Sequence, residues 1–173
     1  RNKRGIAVDL KQPKGVEVVL KLVSAADVLV EAYRPGVMDR LGLGYKALEK
    51  VNPRLIYCSV SGLGAEGPLA DQPSSEIIIQ GIMGYYRRFG ALGETPVRAG
   101  ADLASIGAGI DAVQGIAASL YWREKTGQGQ KVDVSLLGSL SSVSNLAYTA
   151  ESNPMDGWTG GYFCGLLWLI YKK

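Results

Sequence analysis

Strand, helix, strand within residues 5–31 is the pattern that most constrains this chain. Gly5-Ile6-Ala7-Val8-Asp9-Leu10 is a short apolar run rich in β-formers and reads as a buried strand. Lys11 to Gly15 turn around Pro13. Val16, Val19, Leu20 and Val23 then recur at helical spacing, which predicts an amphipathic helix over residues 16–26. Asp27-Val28-Leu29-Val30-Glu31 is a second β-forming run. A βαβ unit of this kind implies parallel pairing with a right-handed crossover, so an α/β fold is expected.

The pattern continues along the chain. Pro35 and Gly36 break it, a short helix is expected over 37–40, Leu41-Gly42-Leu43-Gly44 turns, and a second short helix covers 45–51. Leu55 to Val60 is a third strand. A Gly/Pro-rich loop over 61–73 follows at that strand's carboxyl end, where open α/β sheets bind ligands. Ser74 or Ser75 can cap a helix running to about Arg88, with Glu76 in its first turn. A long helix is predicted over 103–125, with Ile106, Ile110, Val113, Ile116 and Leu120 on one face. A turn, a strand over 131–134 and a Ser/Leu/Ala helix over 135–148 complete the pattern. Residues 1–150 form the expected domain portion, and 151–173 a divergent or truncated tail.

Composition removes whole classes of function. The 173 residues include no His, so Ser-His-Asp or Cys-His catalysis and His-ligated zinc are excluded. The net charge is +3, and no basic stripe interleaves aromatics, so no nucleic-acid partner is expected. Cys58 and Cys164 are far apart, offer no metal spacing and read as buried thiols of a cytoplasmic protein. No metal is expected. The apolar run over 161–171 is too short to span a bilayer and no signal peptide is recognisable, so no membrane partner is expected either. The chain opens on Arg1 rather than Met, as a piece of something longer would.

Four features can carry chemistry. Asn2-Lys3-Arg4 can meet phosphates or be a solvated strand end. Tyr33-Arg34-Pro35-Gly36 with Arg40 can hold a nucleotide by stacking and phosphate pairing, or be a plain corner with exposed arginines. Leu41-Gly42-Leu43-Gly44 lacks the third glycine of a dinucleotide fingerprint and follows a helix, so it reads as an ordinary turn. Gly100-Ala101-Asp102 precedes the long helix. Asp102 is either a helix cap or a carboxylate nucleophile able to form a mixed anhydride with an activated acyl group. Glu76 is a second carboxylate at a helix start.

The order of motifs is more specific than any one of them. Residues 2–11, Asp27 to Val37, Leu41 to Tyr45, Asn52 to Tyr57, Ser61 to Gly64 with Gly67-Pro68, and Arg123 to Gln130 with Val132 to Ser135 together resemble the family III CoA-transferases, also called CaiB/BaiF. The resemblance implies a portion of a Rossmann-like large domain, a three-layer parallel sheet with flanking helices, in chains that pair as interlocked homodimers. It implies transfer of coenzyme A between an acyl-CoA and a carboxylic acid, through aspartyl anhydride and thioester intermediates. The CoA-contacting positions of the family fall on Lys3, Tyr33, Arg40 and Leu41. A further contacting Lys of some members falls on Pro73, and an Asn before the aromatic is Ala32.

The nucleophilic Asp of the family stands four residues before a helix Gly, here Gly109, and strict counting reaches Ser105. Asp102 lies close to one helical turn earlier and is the expected nucleophile, with Glu76 as helper. Racemases of the superfamily need a His, and Ser75 holds the matching place, which argues against racemization. A full member is about twice as long. The competing expectation is therefore a catalytically inactive module that binds CoA or oligomerises. A CoA-ester isomerase or lyase is a weaker third.

Overall fold

In a computed structural model the described residues are 2–87, 95 and 97–143. The expected tail over 151–173, Cys164 and the end of the last helix lie outside them. The chain divides into two compact units, Arg1–Ser61 with Ala112–Asp133, and Gly62–Asp111 with Val134–Lys173.

The first unit begins with helix α1, Pro13–Ser24. Pro13 opens it, where its fixed φ fits and no N–H is needed. Val23 is buried, and Val16, Val19 and Leu20 pack on the same core, as their spacing predicts. The helix's last carbonyls have no partner within the helix. Asn52 Nδ2 supplies one, donating to Val23 O at 3.0 Å and to Ala26 O, just beyond the end, at 2.9 Å.

Strand β1, Val28–Glu31, pairs in parallel with strand β2, Ile56–Ser61, in the register Val28↔Ile56 to Glu31↔Ser59. Short helices α2, Val37–Arg40, and α3, Tyr45–Val51, connect them. Among the described residues, strand β3, Lys131–Ser135, makes a three-stranded sheet of order β1-β2-β3. Leu43, Leu48, Leu55 and Tyr57 sit in the core beside Val23 and Met38.

The strand expected over residues 5–10 is not formed. Those residues take part in no ladder, and Ile6 is 67% exposed. A β-run without a neighbouring strand has nothing to bond to. The parallel unit is therefore displaced one element along the chain, to β1, α2, α3 and β2.

Helix α5, Leu103–Thr126, spans the long predicted segment. Its bulky face does not make the core: Ile106, Ile110 and Val113 are all more than half exposed, at 55%, 54% and 66%. The buried stripe is Ala104, Ala108 and Ala112, then Ser119 and Arg123. These recur at four-residue steps within each run, the spacing of one helix face. By length and composition alone α5 is apolar enough to cross a bilayer. Only 28% of that apolar stretch is buried, and Arg123 near its end is buried and ion-paired with Asp27.

In the second unit, helix α4, Glu76–Ile82, starts at Ser75, whose Oγ accepts from Ile78 N at 3.4 Å. It ends earlier than the predicted 88. Gly84 takes φ +71°, a left-handed stop, before a 3₁₀ turn over Tyr85–Arg87. Helix α6, Leu136–Val143, packs with α4 around Ile79, Ala104 and Leu140.

Candidate active site

The first turn of α5 exposes backbone N–H groups that the helix itself cannot satisfy. Glu76, from the first turn of α4, receives two of them. Its Oε1 accepts from Ala104 N and its Oε2 from Ser105 N, each at 2.9 Å. Ser105 Oγ donates to Oε2 at 2.7 Å, and Gln80 Nε2 to Oε1 at 2.8 Å. One carboxylate thus stands at two helix N-termini, where both dipoles favour negative charge.

Partial burial pushes the Glu76 carboxyl up. Hydrogen bonds from the Ser105 and Gln80 side chains and from the Ala104 and Ser105 backbones outweigh burial and hold it below the ordinary carboxylate range. Glu76 is therefore an anion at neutral pH with four donors on it.

Asp102 immediately precedes α5, and its backbone carbonyl accepts from Ile106 N at 2.9 Å. Its carboxylate pairs with Arg98, with both side chains about half exposed. Arg98, Ala99, Gly100, Ala101, Asp102, Ser105 and Ile106 line an open cavity of about 820 Å³. The cavity brings a carboxylate, a guanidinium and a hydroxyl to one surface, and Glu76 joins them through Ser105.

Gln80 gave no functional signal in the sequence. It is fully buried, donates to Glu76 and also to Ala101 O at 3.1 Å, and so ties α4 to the turn before α5. The only hint was a polar residue four places after Glu76 on an otherwise apolar helix. Among the described residues, no group of three or more Cys, Asp or Glu is placed to hold a metal ion.

Lys3, Tyr33, Arg40 and Leu41 all lie in the first unit. Tyr33 follows β1 and is 51% exposed, and its backbone N–H donates to Glu31 Oε2 at 2.8 Å. Arg40 closes α2 and is exposed, while Leu41 caps α2 and packs on the core. These three share one strand-to-helix corner. Lys3 is exposed in the segment before α1. Leu41 to Gly44 is a turn with Leu43 and Gly44 buried, so it offers no phosphate cradle.

A sequence profile of CoA-transferase family III matches residues 1–160. The acetyl-CoA:oxalate CoA-transferase of Acetobacter aceti is 44% identical over 147 residues, which cover 84% of this chain and 38% of that protein. The succinate–glutarate CoA-transferase of Agrobacterium fabrum is 38% identical over 157 residues, 89% of this chain and 39% of its own length. A CaiB/BaiF family protein from Brucella suis has the same fold, with a TM-score of 0.84 at 36% identity, over 89% of this chain and 41% of that one. The chain thus spans less than half the length of these relatives, and its sheet and helices match part of the Brucella suis protein's fold. This chain is a member of CoA-transferase family III.

Proposed function

We propose that this chain serves acyl-CoA:carboxylate CoA transfer, with Asp102 as acyl acceptor. The observation that supports it most is the start of α5, where Asp102, Arg98 and Ser105 line one open cavity. The chain is similar over most of its length to an acetyl-CoA:oxalate CoA-transferase and a succinate–glutarate CoA-transferase, which supports CoA transfer as the activity.

In this reading an Asp102 carboxylate oxygen attacks the thioester carbonyl. The C–S bond breaks, and a mixed anhydride and CoA thiolate form. The thiolate then attacks the Asp102 carbonyl, releasing the first acid and leaving an aspartyl-CoA thioester. The incoming carboxylate attacks that thioester to form a second anhydride. The thiolate finally takes the new acyl group and frees Asp102. No proton acceptor is needed, which suits a chain without histidine. Glu76 is saturated with donors, so its part is to hold the start of α5 in place. Arg98 pairs with the free Asp102 carboxylate before and after the reaction. Lys3, Tyr33, Arg40 and Leu41 are assigned to coenzyme A, and a homodimer in the cytoplasm belongs to the same proposal.

A second reading, an inactive CoA-binding module, is favoured by one observation. The residue facing Glu76 is Ser105, a hydroxyl, and Asp102 is already engaged by Arg98. Incubating the purified chain with succinyl-CoA and a labelled dicarboxylic acid such as oxalate separates the two. Label entering CoA ester in wild type but not in Asp102→Ala supports transfer. CoA binding without exchange, in both proteins, establishes the module.

A further inference from the structure

Glu31 ends β1 at the carboxyl edge of the parallel pair, opposite Ser59. Strand alternation puts Leu29 and Glu31 on the same face as Tyr57 and Ser59. Two donors meet the Glu31 carboxylate. Ser59 Oγ donates to Oε1 at 2.5 Å and the Tyr33 backbone N–H donates to Oε2 at 2.8 Å.

Tyr57 is itself fixed. It is 3% exposed and lies edge-on to the Tyr45 ring, with centroids 5.9 Å apart. Burial first, then the charges of Glu31, Asp39 and Asp133, push its phenol far above the ordinary tyrosine range, so it stays protonated. A half-buried carboxylate on a strand of Val and Leu adds nothing to apolar packing. Its bonds instead run from the sheet, at Ser59, to the turn that carries Tyr33. The backbone of that turn is tied down while the ring stays open to solvent.

We propose that Glu31 is a positioning residue that fixes the Tyr33 turn, so that the exposed ring meets the planar base of coenzyme A in one orientation. Ser59 holds the carboxylate in place for that task. This inference rests on the reading of Tyr33 as a CoA contact.

The test compares Glu31→Gln, Glu31→Ala, Ser59→Ala and Tyr33→Ala with wild type. CoA affinity is read by titration calorimetry, and tyrosine ionisation by absorbance during an alkaline titration. Tyr57→Phe identifies the Tyr57 signal. Losing the bond to the turn should raise the CoA Kd about tenfold in Glu31→Ala and about threefold in Glu31→Gln and Ser59→Ala. In the Glu31 and Ser59 variants the rate constant for exchange at saturating acyl-CoA should be unchanged. In both Glu31 variants Tyr57 should ionise at lower pH, which reports the loss of the Glu31 charge beside it. If Tyr33→Ala weakens CoA binding while the Glu31 variants release Tyr57 and keep wild-type affinity, the positioning role is refuted and the Tyr33 reading stands. If Tyr33→Ala binds CoA as wild type does, both are overturned. Should Glu31→Ala not fold, Glu31→Gln and Ser59→Ala decide the same question.

Discussion

Replacing Glu76 by Gln changes one atom and tests the start of α5. The carboxylate accepts four hydrogen bonds, two from Ala104 N and Gln80 Nε2 on one oxygen and two from Ser105 on the other. An amide has a single acceptor oxygen. The best compromise turns its NH₂ toward Ser105, whose hydroxyl can rotate to accept. The Ser105 backbone N–H then faces a donor and must find water. One lost charge-assisted bond, discounted because Ser105 is exposed, comes to about 1.5 kcal/mol at pH 7.

The pH dependence has a definite sign. The folded-state pKa of Glu76 lies below its unfolded value, so its stabilisation is complete above the ordinary carboxylate pKa. It is lost as the pH falls from about 4.3 through the folded value, where the wild-type group also becomes half acceptor, half donor. Urea unfolding of wild type and Glu76→Gln should therefore differ clearly at pH 7 and converge in acid. A gap of the same size at both ends of that range would refute the capping role. A variant as stable as wild type at pH 7 would do so as well.

Further expectations follow from other contacts. Arg123 is 7% exposed, pairs with Asp27 at 2.9 Å and donates to Arg54 O at 3.2 Å. Arg123→Met should lose about 2–3 kcal/mol in urea unfolding, whereas Asp27→Asn should lose under about 1 because that carboxylate is well solvated. A Cβ at Gly129 would overlap the Leu55 backbone carbonyl, while one at Gly5 meets nothing within 4 Å. Gly129→Ala should lower the melting temperature by several times the effect of Gly5→Ala. Cys58 is fully buried, and burial with the charges of Asp133 and Glu31 raises its thiol pKa. In a Cys164→Ser background, a thiol reagent should label it only as fast as the protein unfolds.

Much of this fold is legible because its signals are local. Val16, Val19, Leu20 and Val23 announce α1, and Pro53 and Gly127 bracket elements that end where the chain cannot continue. Long-range facts leave weaker traces. Nothing in Gly5 to Leu10 says that no partner strand is present among the described residues. The large side chains of α5 mark an apolar face, but close packing selects the Ala and Ser stripe opposite. At the site, Asp102 and Glu76 both read as carboxylates at helix starts. That Glu76 caps a helix 28 residues away, with Gln80 bridging the two, has no local signature.

The most direct test traps the acyl acceptor. The chain is incubated with acyl-CoA and hydroxylamine, which converts an aspartyl anhydride or thioester into a stable hydroxamate, and the modified residue is mapped by mass spectrometry. A hydroxamate on Asp102, absent without acyl-CoA, is the expected result. Active CoA exchange with Asp102 unmodified would contradict it.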